Sequence, residues 1–134
     1  MPGNHPCSAV LIVLSAALLG VGAAQAAPPK LTVVITAQSH HPQLHQTWWY
    51  QVKVMANGKP VACRIHVQFW FGSASVGEVG THTVKTGVWK ETIVAKGPNA
   101  FPPASVGQPL VLHATVTAKG YRAGAAGWPI AVVK

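Results

Sequence analysis

From Leu31 onward the apolar residues of this chain recur mainly at every second position, and no long stretch keeps the three-to-four-residue spacing of a helix. Successive side chains of an extended strand point to opposite faces, so this period puts one face in a core and the other in water. Leu31, Val33, Ile35 and Ala37 alternate with Thr32, Val34, Thr36 and Gln38. Trp48, Tyr50, Val52 and Val54 alternate with Trp49, Gln51, Lys53 and Met55. Ile65, Val67, Phe69 and Phe71 stand against Arg64, His66, Gln68 and Trp70. Leu110, Leu112, Ala114, Val116 and Ala118 form the longest clean run, against Val111, His113, Thr115, Thr117 and Lys119.

Turn chemistry divides these runs. Asn57-Gly58-Lys59-Pro60 is a tight reversal, because Asn-Gly supplies the positive φ angles of a two-residue hairpin. Gly72, Ser73 and Ser75 end the third run, and a Thr-rich stretch from Val79 to Val94 predicts one or two more strands. The four prolines between Gly97 and Pro109 exclude an interior strand and predict a surface crossover between sheets, pinned to the core by Phe101. Gly120 and the Ala-Gly run at 123–127 read as the last turn, before a closing strand with Ile130 and Val132. About seven short strands in a chain of this length predict a single all-β domain, an immunoglobulin-like β-sandwich, with a small barrel as the alternative.

Ser8 to Ala27 form an uncharged apolar run whose end, Ala24-Gln25-Ala26, fits a signal-peptidase site. Residues 1–26 are therefore expected to be a signal peptide and 27–134 the exported domain. The preceding residues carry no Lys or Arg, and the competing reading is an uncleaved anchor. No later stretch is long and apolar enough to span a bilayer as a helix. Cys7 falls within the expected signal segment and Cys63 is left unpaired, a small hydrophobe at the start of a strand.

Several segments carry a family resemblance. Trp48-Trp49-Tyr50-Gln51-Val52-Lys53-Val54 followed by Asn57-Gly58-Lys59-Pro60-Val61, Phe101-Pro102 before Gly107-Gln108-Pro109-Leu110, and the late strand from Leu112 to Gly120 resemble bacterial Ig-like domains of exported cell-envelope proteins. The resemblance implies a binding, spacer or adhesive module and brings no catalytic residue with it.

The charge pattern narrows the chemistry further. Ten Lys and Arg face two acidic residues, Glu78 and Glu91, for a net charge of +8, and there is no Asp. Paired-carboxylate catalysis and carboxylate metal cages have almost no material to work with, and Ser-His-Asp catalysis lacks its Asp. Glu91, beside Lys90, reads as a surface charge. Cys63 and His66 are three apart on one strand and face opposite sides, so they form no dyad. No glycine-rich phosphate loop occurs, and no cofactor is implied. The cations lie along the chain without a run, a global field that attracts polyanions in a salt-dependent way. For an exported protein the matching partner is an anionic envelope polymer or glycan, or another surface protein, rather than nucleic acid.

Two groups of residues suggest a site. Trp49, Lys53, Arg64, His66 and Trp70, with Gln51 and Gln68, fall opposite the inward sets and suggest an outer sheet face able to stack on a sugar and bind its hydroxyls. A register slip of one residue would exchange the faces. His40, His41 and His45 form a loop that suggests, alternatively, an exported copper or zinc protein, although Pro42 rules out helical ligand spacing.

Overall fold

The computed structural model describes residues 27–134 and the isolated Gly3; the expected signal peptide lies outside the described residues. Eight strands run in chain order: β1 (Thr32–Ala37), β2 (Trp48–Ala56), β3 (Lys59–Pro60), β4 (Cys63–Phe71), β5 (Ala74–Val84), β6 (Val88–Ile93), β7 (Pro109–Thr117) and β8 (Gly124–Ala131). They form two antiparallel sheets. In the first, β2 lies between β1 on one side and β6 with the short β3 on the other; the second has the order β5-β4-β7-β8. The two sheets enclose one core, so the domain is an all-β sandwich and not a barrel.

The period-two runs become the facing layers. Trp48, Tyr50, Val52 and Val54 from β2 meet Ile65 and Val67 from β4 and Leu112, Ala114 and Val116 from β7, all essentially inaccessible to water. Burial of this kind contributes about 25 cal/mol per Å² of apolar surface and is the main force holding a sandwich that has no disulfide among its described residues. Cys63 is part of this core, and burial pushes its thiol pKa up. Phe101 of the crossover packs edge-on against Trp48 at 5.9 Å and Phe69 at 5.4 Å, closing one end. The carbonyl of Ser39, just after β1, accepts the indole N–H groups of both Trp48 and Trp128 at 3.1 Å, tying the two sheets together.

Three sequence expectations need correction. Asn57 and Gly58 adopt φ of 51° and 75°, the expected hairpin geometry, but the returning strand is only β3. The chain then crosses to the other sheet, so β2 and β4 never pair. The fifth strand begins at Ala74, immediately beyond the turn at Gly72, and reaches Val84. Its pairing with β4 slips twice, between Val67 and Gln68 and between Phe69 and Trp70, leaving Val79 and Val76 as extra residues. Finally, the Ala-Gly run at 123–127 largely belongs to β8 and not to a turn. Its glycines provide clearance: a Cβ on Gly124 would stand 2.5 Å from the Leu31 carbonyl oxygen, where β1 approaches β8.

Candidate functional site

The five residues of the proposed sugar face do not share one face, because β2 and β4 belong to different sheets. Trp49 and Lys53 lie on the outside of the first sheet. Strand pairing sets Thr92 opposite Trp49, Lys90 and Thr36 on either side of Gln51, and Val88 and Val34 on either side of Lys53. The Lys90 ammonium sits over the Trp49 ring, 4.6 Å from its centre. Such a cation–π contact is worth about 0.5–1 kcal/mol at an exposed site, enough to hold the ammonium beside the aromatic plane. Trp49, Gln51, Lys53 and Lys90 thus present one aromatic surface, one amide and two cations on the same face. Lys90 was not legible as a member of this group, since only the pairing of β2 with β6 brings it there.

Arg64, His66 and Trp70 lie on the outside of the second sheet, where the polar groups mostly satisfy one another. The Trp70 ring is stacked by His113 at 4.0 Å, and its N–H donates to Gln68 at 3.1 Å. The Gln68 amide donates to Glu78 at 3.0 Å, and His66 contacts the other oxygen of the same carboxylate. Those hydrogen bonds, that of Gln68 first, hold the Glu78 carboxyl below its usual range. His113 is pushed down mainly by burial, with the nearby His66 charge adding to it. Arg64 is exposed at the far end of this face. With Trp70 already stacked and Glu78 already bound, this surface offers less free chemistry than the Trp49 face.

Glu91 is not the surface charge that its neighbour Lys90 suggested. Opposite Tyr50 in the β2–β6 pair, it turns toward the space between the sheets and accepts the buried Tyr50 hydroxyl at 2.5 Å. Its same oxygen, Oε2, accepts the Trp89 indole N–H at 3.4 Å, and His82 Nε2 stands 3.7 Å away, with the His82 ring stacked on Trp89. Burial, and then the carboxylate beside it, raise the Tyr50 pKa far above its ordinary value. Both acidic residues are therefore engaged by neutral or imidazole partners. Among the described residues no Lys or Arg comes within 4.0 Å of a carboxylate, and all ten Lys and Arg side chains are exposed. The positive field of the domain is uncompensated.

Among the described residues the histidine loop does not bring a metal-ligand set together. The His40 carbonyl accepts from Ala131, and Pro42 and Leu44 bond to Val133, so the loop lies along the tail of β8 as an extra strand would. His40 donates through Nδ1 to the Pro129 carbonyl at 2.6 Å and stacks on Trp128 at 4.0 Å. These backbone bonds anchor the loop at His40, Pro42 and Leu44, His45 lies in a turn with φ of 65°, and among the described residues no three His, Cys, Asp or Glu side chains gather as metal ligands. His40, His41 and His45 lie on an exposed, backbone-anchored loop and are not gathered as a ligand set.

One concavity was not foreseen. A cleft of about 730 Å³ opens between the bulged part of β5, the end of β6 and the crossover that follows it. Phe69, Phe71, Val76 and Phe101 line it, together with Glu78 and Glu91.

No protein-family model matches this sequence, and no curated protein matches it significantly. Among solved structures it is similar to the crystal structure of a domain of the outer membrane lipoprotein Omp28 from Porphyromonas gingivalis. That likeness has 13% sequence identity and a TM-score of 0.49, covering 79% of this chain and 92% of that one. The β-sandwich assignment rests on the strand pairing and core described above.

Proposed function

We propose that this chain is a non-catalytic binding module, exported to the cell envelope, that holds an anionic saccharide polymer on the outer face of the β1-β2-β6 sheet. The observation that carries this reading is the Lys90 ammonium fixed over Trp49 beside Gln51 and Lys53, on a domain whose cations are all exposed and free of carboxylate partners. Trp49 supplies the flat apolar surface on which a sugar ring stacks, Gln51 bonds hydroxyls, and Lys53 and Lys90 meet the carboxylates or phosphates of successive units. The wider field raises the local concentration of polymer before contact. Export is supported by the signal-like run up to Ala27, and the non-catalytic character by the engagement of both glutamates and the absence of Asp.

Retention on immobilised polygalacturonate tests the reading. Binding is expected to be strong near 0.01 M salt, where screening extends about 30 Å, and to fall steeply near 0.15 M, where it extends about 8 Å. Lys53→Glu with Lys90→Glu, or Trp49→Ala, should abolish retention, whereas Lys119→Glu beside the Gly120 turn should weaken it only slightly. Salt-independent retention, or equal loss with every lysine variant, overturns the proposal.

A further inference from the structure

The cleft beside β5 joins two features that occur together nowhere else on the domain. It is apolar at its mouth: Phe71, Val76 and Val94 are 46%, 58% and 46% exposed, three of the six large hydrophobic side chains that face water among the described residues. Its inner wall is Phe69 and Phe101, locked edge-to-face on the core. The two extra residues of the β4–β5 bulges, Val76 and Val79, both line it, so the irregularity of β5 shapes the wall. A volume of about 730 Å³ lies within the roughly 300–1,000 Å³ of small-molecule sites.

The charge at this cleft is opposite to that of the protein. The only two carboxylates of the sequence, Glu78 and Glu91, both line it, on a chain of net charge +8. Glu78 is bonded at both oxygens by His66 and Gln68. Glu91 is not: the Tyr50 and Trp89 donors converge on Oε2, and no side chain among the described residues donates to Oε1. The carboxylate is held rigidly by groups behind it and keeps acceptor capacity on its other oxygen.

We propose that this cleft binds an amphiphile bearing a primary ammonium group, its alkyl chain against Phe69, Phe71, Val76 and Phe101 and its head on the free oxygen of Glu91. An apolar ligand alone would need no carboxylate, and an anionic one would meet the only two acidic side chains of the sequence. The site is remote in kind from the Trp49 face, which selects anions, and stands independently of the function proposed there.

Calorimetric titration of the full chain with dodecylammonium and with dodecanoate, below their micelle concentrations and at about pH 8, where the amine and the carboxylate ligand are both charged, tests the site. The net charge favours the anion. A preference for the cation therefore has to come from local carboxylates. Dodecylammonium should bind one to one and at least about tenfold more tightly than dodecanoate, the scale of a charge-assisted hydrogen bond. Glu91→Gln keeps an acceptor for Tyr50 and should erase that preference. Val76→Lys, at an exposed position that leaves folding intact, should weaken dodecylammonium binding at least about tenfold by setting a cation at the mouth. Equal or tighter binding of dodecanoate overturns the proposal, as does binding of dodecylammonium unchanged in Val76→Lys. Failure of the amine to bind, with Val76→Lys converting a dimer to a monomer in sedimentation, would assign the cleft to a second copy of the chain instead.

Discussion

Replacing Tyr50 by Phe removes one oxygen from the interior while leaving the ring, and so isolates the hydrogen bond that holds Glu91. The hydroxyl is fully buried, and its 2.5 Å bond to Oε2 is the shortest of the Glu91 contacts. A hydrogen bond to a charged group is worth about 1.5–3 kcal/mol. The Glu91 side chain is 30% exposed, so water can replace part of what is lost, and the lower part of that range, about 1.5–2 kcal/mol, applies. For a domain of this size that lowers the melting temperature by about 6–10 °C. A double-mutant cycle with Glu91→Ala, which removes the acceptor, should return a coupling of at least about 1 kcal/mol, since the two groups touch.

The pH dependence provides a second readout of the same pair. Burial raises the Tyr50 pKa in the folded state above its ordinary value of 10.0. A raised tyrosine pKa means the folded state holds the proton more tightly, so this stabilisation is fully present below about pH 10 and is lost as pH rises above it. Chemical denaturation of wild type should therefore show an alkaline fall in stability that Tyr50→Phe lacks, the lysine contribution being common to both. A variant within about 0.5 kcal/mol of wild type at neutral pH, or one with the same alkaline limb, refutes the account of this pair.

Two further outcomes follow from particular contacts. Gly124→Ala should destabilise the domain by about 2–3 kcal/mol in urea unfolding, because the new methyl meets the Leu31 carbonyl at 2.5 Å and the Val33 side chain at 2.9 Å, and backbone yields little. In a carboxyl NMR titration Glu78 should ionise below the usual glutamate range, so what it contributes to stability is present above that range and lost as pH falls through its lowered pKa; Gln68→Ala should move the midpoint up.

How much of this was legible varies residue by residue. The inward faces of β2, β4 and β7 followed from their alternation, except at Phe71, which ends β4 exposed at the cleft, since a two-residue period is a local property that survives any choice of partner strand. The Asn57-Gly58 reversal and the crossover held by Phe101 were legible for the same reason: each depends on what a few consecutive residues allow. Glu91 was misread because its neighbour Lys90 is exposed, yet adjacent residues of a strand point to opposite sides. The run at 123–127 was misread because small residues that loosen a turn also let two backbones approach, and only the position of Leu31 tells the two apart. The five residues of the expected sugar face were each correctly turned outward, but outward from two different sheets.

The sequence by itself determined that this is an all-β chain, which side chains of its regular strands face the core, and that its charge is overwhelmingly positive. Those properties are set by residue type and period. The tertiary structure alone decided which outward residues share a surface, bringing Lys90 over Trp49, pinning the histidine loop along the tail of β8, and gathering both glutamates at one cleft. Sheet membership and register are fixed by long-range pairing, and two bulges in β5 shift the phase of its alternation, so none of these groupings can be read from spacing along the chain.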